Sequence, residues 1–282
     1  MKDHIILRRS GALGDVILTT PVLRRLRREF PDVVIQIQTC YLEVFARSPH
    51  TTVIDSGLSS SSILISLDGA YERRPDLHIV QAYMLEAFGD LGDPKDLQQE
   101  LHYKVGRDYL TKSVKSNIVA IHAAIAGWKN RTLPRHVWRA VFDGVKRMGL
   151  RPALVGTDRD NLYAGDTAEI PLGWPLAVQA AFISECAAFI GSDSAMLHLA
   201  GCTDVPIIGV FTCARPETRL PWRHGQLGWR CEAVMPDLEC VGCQARRPPP
   251  VTDEFCERGD TRCIELVSAA NILAALQKVI AL

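Results

Sequence analysis

Residues 189–200 read Phe189-Ile190-Gly191-Ser192-Asp193-Ser194-Ala195-Met196-Leu197-His198-Leu199-Ala200. An apolar run stops at a glycine, passes through small polar residues and resumes with helical periodicity, which is the pattern of a buried strand turning into a helix. Such a turn exposes the first helix amides, where a phosphate or diphosphate is stabilised, and Ser194 adds a hydroxyl. His198 follows Ser194 by four residues, about one helical turn, so both can face one ligand. A plainer reading has Asp193 or Ser194 as a helix cap and His198 satisfied in the core. Spacing leaves both open.

Outward from this turn the same alternation recurs. Before it lie an apolar strand over 117–122, a helix from Pro134 to about 148, a strand over 151–155 closed by Gly156, and a helix over 176–187; after it comes a strand over 206–211. Nearer the N-terminus, Ile5-Ile6-Leu7 runs into Ser10-Gly11-Ala12-Leu13-Gly14-Asp15, then a helix over 16–30 and a strand over 33–37. That is a strand, helix, strand unit of the kind that builds open parallel sheets. A loop over 59–62, a strand over 63–65 and a helix over 79–88 stopped by Gly89 complete the first series. Two successive series predict an α/β protein of two Rossmann-like domains facing a central cleft, residues 1–115 and 116–263. An apolar-periodic helix over 264–282 is expected to cross back and pack on the first domain.

The composition narrows the class. The 282 residues suffice for two cores, and 47% hydrophobic with 23% charged residues describes an ordinary globular chain. With 32 basic against 32 acidic side chains, there is no overall field to draw the molecule to nucleic acid. The first apolar run is too short for a signal peptide or membrane span, which points to the cytoplasm. Nine cysteines, an odd number, argue for free thiols and a metal centre over a disulfide framework.

Four further features carry chemistry. Gly11 and Gly14 let the chain turn sharply and bring Asp15 to the carboxyl end of a strand, placed either to deprotonate a hydroxyl or to cap the helix. The turn lacks the third glycine of a dinucleotide fingerprint, which disfavours a nicotinamide enzyme. Lys129 and Arg131, at a strand exit, could neutralise a leaving diphosphate or sit solvated in a loop. Cys240, Cys243, Cys256 and Cys263 form Cys-x2-Cys-x12-Cys-x6-Cys, a spacing suited to structural zinc or iron; the other five cysteines show no such spacing. Arg24, Arg27 and Arg28 share one face of the first helix, either solvated or, at most, in peripheral contact with an anionic lipid or phosphate.

Together these stretches resemble the ADP-heptose lipopolysaccharide heptosyltransferase family, glycosyltransferase family nine, with its two-domain GT-B fold. Gly14-Asp15-Val16 with Pro21 resembles the family's opening turn. Asp193-Ser194-Ala195-Met196-Leu197-His198-Leu199 with Pro206 resembles its donor motif, Arg131 before Pro134 its basic residue, and Cys240 to Cys263 its late cysteines. The resemblance implies a bacterial, inverting transfer of a sugar, with heptose from ADP-heptose favoured, to a glycan, lipid or protein hydroxyl. It implies Asp15 as general base and Arg131, aided by Lys129, against the diphosphate, with the loop from Asp193 through Ser194, Ala195 and Met196 to His198 holding the donor. Asp158 or Asp160, just after Gly156, would bind the ribose. No catalytic cofactor is implied; the cysteine metal would be structural, and the cytoplasmic face of the inner membrane would be a fitting place of work. The chain departs from the pattern at Ser194, Ala195 and Arg131, where threonine, glycine and lysine are usual, and its first domain is short. The competing reading is a non-catalytic GT-B-like module built around the four-cysteine centre.

Overall fold

The computed structural model describes residues 4–54, 62–103, 117–123, 129–157, 172–246, 256 and 258–281. In chain order these form β1 (His4–Arg8), α1 (Leu13–Ile17), α2 (Thr20–Glu29), β2 (Val34–Gln38), β3 (Val53–Ile54), β4 (Ile63–Ser66) and α3 (Ile79–Phe88). The second half has β5 (Ile118–His122), α4 (Arg135–Arg147), β6 (Arg151–Leu154), α5 (Leu176–Ser184), β7 (Ala188–Ser192), α6 (Ala195–Ala200) and β8 (Ile207–Val210). It closes with β9 (Trp222–Arg223), β10 (Gln226–Leu227), β11 (Cys231–Val234), α7 (Arg262–Glu265) and α8 (Ala269–Ile280).

Two parallel sheets result, one per half. The first runs β3-β2-β1-β4 and the second β11-β8-β7-β5-β6. In each, strand order reverses beside one strand, between β1 and β4 in the first sheet and between β5 and β7 in the second. Ligands of open α/β sheets bind at these switch points, outside the carboxyl ends of the strands. Asp15 follows β1, Arg131 follows β5, and Asp193 follows β7, so the topology gathers three of the sequence-selected residues.

The predicted helix over 16–30 is two helices. Pro21 has no amide to offer the Ile17 carbonyl; instead Thr20 Oγ1 donates to Ile17 O and Thr19 Oγ1 to Val16 O, each at 2.8 Å. The bend frees α1 to lie across the interface, where it packs on α6. α3 ends as the sequence predicts, with Gly89 left-handed at φ +80°. The strands β3 and β11 and the β9–β10 hairpin went unpredicted: each is short or half-polar, and pairing rather than periodicity makes them strands.

The last helix does not cross back. α8 packs on α4 and on β11, β8 and β7, burying Ile272, Leu276 and Val279 with Val119, Trp138, Phe142 and Ile208. The apolar side of α8 is thereby buried on the outer face of the second sheet. The predicted boundary near residue 115 lies outside the described residues. A separate apolar cluster runs continuously from Leu7, Val16 and Ile17 to Leu197, Leu199 and Phe211. The two domains therefore meet on a shared core at the cleft floor.

Polar contacts supplement that core. His78 Nδ1 accepts from Val80 N, so Nε2 carries the proton and donates to Leu220 O at 2.9 Å. Gln99 Nε2 donates to His198 O, and His224 N to Gln98 Oε1. The basic face of α2 is satisfied internally: Arg24 binds Glu100, Arg25 binds Glu29 and Asp90, Arg27 binds four backbone carbonyls and Thr52, and Arg28 binds Asp96. Among the described residues no helix is long and apolar enough to cross a membrane.

Candidate active site

Asp15 sits in the first turn of α1, and the resemblance to a cap proves half right. Its Oδ2 accepts from Ala12 N at 3.2 Å and from Arg9 Nη2 at 2.9 Å. Oδ1 makes no hydrogen bond among the described residues, and the side chain is 18% exposed. The carboxylate is thus held by one oxygen and free at the other. Arg9, only 5% exposed, is also 3.1 Å from Glu72 Oε1 and 3.7 Å from Asp68 Oδ1. Three acids share one arginine, so this side of the cleft is net negative. Gly11 and Gly14 serve close approach: a Cβ at Gly14 would stand 2.9 Å from His198 Cδ2 and 3.2 Å from Ala195 Cα, and one at Gly11 would meet Arg9.

Opposite, the turn after β7 inverts this balance. Asp193 is buried, with Oδ2 3.2 Å from Arg131 Nη1 and 3.6 Å from Arg219 Nε, and Oδ1 3.8 Å from His198 Nε2. Burial works to raise the Asp193 pKa, yet Arg131, Arg219 and His198 hold it below the ordinary carboxylate value. One acid among two arginines leaves this side net positive. Burial, opposed by Asp193, brings the His198 pKa down to about 4, so the imidazole is neutral. Its Nδ1 is buried without a hydrogen-bond partner. A satisfied core histidine would not leave a ring nitrogen unmatched. Ser194 occupies the cap position of α6 without capping it; its hydroxyl meets His122 Nδ1 at 3.1 Å.

The remaining sequence-selected residues divide. Ala195 lies against Gly14, and Met196 is buried in the shared core. Gly156, at φ +128°, closes β6 with its amide and carbonyl both bound by Gln179. Lys129 opens the short 3-10 turn that carries Arg131; its side chain, like Asp158 and Asp160, lies outside the described residues.

Three residues unmarked in the sequence reading join the two turns. Tyr71, half-buried between the domains, has the Arg9 guanidinium 5.2 Å and the Arg219 guanidinium 5.3 Å from its ring centre. A continuous path therefore runs Asp15, Arg9, Tyr71, Arg219, Asp193. Arg9 alone had a signal, as a charge ending an apolar strand beside the glycine turn; Tyr71 and Arg219 come from loops and had none.

The cysteines gather beside this site. Cys240, Cys243, Cys256 and Cys263 line one small cavity with Asn130 and Thr212. Burial and the neighbouring Cys213, Cys243, Cys256 and Cys240 push the Cys263 pKa up to about 12. Cys256 differs: burial raises its pKa, but the amides of Thr261, Arg258, Asp260 and Gly259 outweigh it and lower the value. A sulfur ringed by amides is favoured as thiolate, the form that ligates. The segment also braces Arg131, since Gln244 Oε1 accepts from Arg131 Nη2 at 2.8 Å while Gln244 N bonds Cys213 O.

Two facing Rossmann-like domains, with an acid-rich turn across from an arginine-rich one at their switch points, define a GT-B glycosyltransferase. The chain belongs to glycosyltransferase family 9 (heptosyltransferase), whose family model matches residues 20–243. That span includes Arg131, Asp193 to His198, Cys240 and Cys243, and leaves Asp15, Cys256 and Cys263 outside. The chain is similar in fold to a family 9 glycosyl transferase from Veillonella parvula, at 15% identity and TM-score 0.74 over 99% of this chain and 98% of that one. It is similar to the iron-containing dodecameric glycosyltransferase TibC from enterotoxigenic E. coli, at 14% identity and TM-score 0.76 over 98% and 76%. It is also similar to E. coli ADP-heptose lps heptosyltransferase II, at 12% identity and TM-score 0.66 over 99% and 98%. No curated protein sequence matches. The protein is thus an enzyme rather than a non-catalytic module.

Proposed function

We propose that the chain transfers heptose from ADP-heptose to a hydroxyl of a glycan, lipid or protein, inverting the anomeric centre. The observation that carries this reading is the opposed charge of the two turns. On the acceptor side Asp15 takes the hydroxyl proton on its free Oδ1 while Arg9 holds Oδ2 in place. The acceptor oxygen bonds to the anomeric carbon as the bond from that carbon to the diphosphate oxygen breaks, and ADP leaves with the electron pair. Arg131 and Arg219 meet the charge developing on the diphosphate, a task suited to fixed cations in a dry site, with Lys129 as a further candidate. Ser194 and the unmatched Nδ1 of His198 bind donor groups, and Asp158 or Asp160 the ribose. The solved relatives lend the donor: TibC has been crystallised with ADP-D-beta-D-heptose, and E. coli WaaC with ADP-2-deoxy-2-fluoro heptose.

In the same reading the four cysteines hold a structural zinc or iron that fixes the Arg131 loop. The single cavity they line and the amide-ringed Cys256 support this, as does the iron-containing description of TibC. The deciding test is Asp15→Asn with ADP-heptose and a panel of glycan, lipid and peptide acceptors. Transfer is expected to fall by about a thousandfold, while ADP-heptose still raises the melting temperature. Undiminished turnover would remove Asp15 from the reaction.

A further inference from the structure

The first domain carries a second cluster beside α2, apart from the four spaced cysteines. His50, in the loop between β2 and β3, and Glu100 and His102, in the segment after α3, bring three ligand atoms within 4.8 Å of one another. His50 Nε2 is 3.0 Å and His102 Nε2 is 3.2 Å from the same Glu100 Oε1. Two ligands bound to one ion at about 2.0–2.1 Å stand roughly 3 Å apart, and these separations match the edges of such a coordination polyhedron. His102 Nε2 is also buried, and its approach to Glu100 lacks hydrogen-bond geometry, a costly arrangement that a cation would relieve. The support around the trio is built. Arg24 Nη1 holds Glu100 Oε2 at 2.7 Å, Thr20 Oγ1 accepts from Glu100 N at 3.0 Å, and Arg27 Nε donates to His50 O. The imidazole rings stand at 70° with centres 5.7 Å apart, converging on the carboxylate without stacking.

We propose that His50, Glu100 and His102 form a binding site for a zinc-class divalent cation. Two imidazoles and one carboxylate are the donor set such ions prefer, whereas calcium and magnesium call for oxygen alone. Arg24 occupies the second carboxylate oxygen, so Glu100 ligates through Oε1 only and at least one position stays open to water. The ion would clamp the segment over 97–103 to the first domain. Gln99 in that segment reaches His198 O, so the clamp braces a connection to the cleft.

The test uses the full-length, reduced and chelator-stripped protein titrated with Co2+ and with Zn2+. The wild type is expected to bind one cobalt with an absorption spectrum free of sulfur-to-metal charge transfer, separate from any thiolate-ligated ion. Zinc should raise the melting temperature where magnesium does not. His102→Ala, at a partly exposed position, and Glu100→Gln should each weaken that binding by at least about tenfold, with the metal-free melting temperature of His102→Ala unchanged. His50→Gln supplies an independent check should Glu100→Gln fold poorly. A wild type showing only thiolate-ligated cobalt, or zinc affinity unchanged in both His102→Ala and His50→Gln, would overturn the site.

Discussion

The turn after β1 and the turn after β7 are built alike and charged oppositely. Each ends a buried parallel strand, passes through small residues and opens a short helix with an aspartate at or beside the turn. Asp15 keeps one oxygen free and shares its arginine with Asp68 and Glu72. Asp193 is buried between Arg131 and Arg219. The same local architecture therefore yields a carboxylate able to accept a proton in one domain and a spent carboxylate that anchors cations in the other. What distinguishes them is the supply of arginines from other segments.

Beside the loss expected for Asp15→Asn, the largest effect should come from unbalancing the positive side. Arg131→Gln is expected to lower kcat by roughly a hundredfold to a thousandfold, with a smaller change in KM, because a charge matched to the leaving group acts mainly in the transition state. Steady-state kinetics would decide it, and an equal rise in KM with kcat intact would assign Arg131 to ground-state binding.

Stability separates the two aspartates next. Asp193→Asn leaves two buried arginines without their acid and should cost about 3–5 kcal/mol in denaturant unfolding. Asp15→Asn, at a partly exposed and hence screened ion pair, should cost at most about 1 kcal/mol. Equal losses would dissolve the distinction. Gly14→Ala probes the contact between the turns: the added methyl meets His198 and the Ala195 backbone, and is expected to cost about 1–3 kcal/mol while widening the cleft. A scattering profile unchanged from wild type would show that the interface yields elsewhere.

The smallest effect concerns pH. Burial, against the bond to Leu220, lowers the His78 pKa to about 3, and burial likewise lowers that of His198 to about 4. Unfolded, each titrates near 6.5, so the unfolded chain binds more protons as pH falls. Their depressed values leave stability intact above about pH 6.5 and erode it from there toward pH 4. His78→Asn keeps a capping acceptor and should flatten that slope by about one proton, measured as melting temperature against pH. An unchanged slope would assign the acid sensitivity to other groups.

How much of this was legible in the sequence depends on how local each signal was. Strands such as 117–122 and 188–191 and the amphipathic α4 announce themselves, because burial on one face imposes a period the chain must carry in its own letters. The aspartates, Arg131, His198 and the spaced cysteines stood out for the same reason, as chemistry fixed by short spacing at a strand end. The reading of one helix over 16–30 ran through Pro21, and the break there was visible only once Thr20 took over the orphaned Ile17 carbonyl.

What the tertiary structure alone decided is everything that depends on partners distant in the chain. Tyr71 and Arg219 enter the site from loops with no periodic or motif signal, 62 residues beyond Arg9 and 26 beyond Asp193. α8 packs on the second domain, against α4, β11, β8 and β7, a choice of partner its own periodicity does not specify. The sequence by itself determined two Rossmann-like halves and the two turns. Only the tertiary structure within each half decided which turn is negative and which positive, because a local pattern specifies backbone direction and burial, whereas the field at a carboxylate is the sum of charges the fold brings beside it.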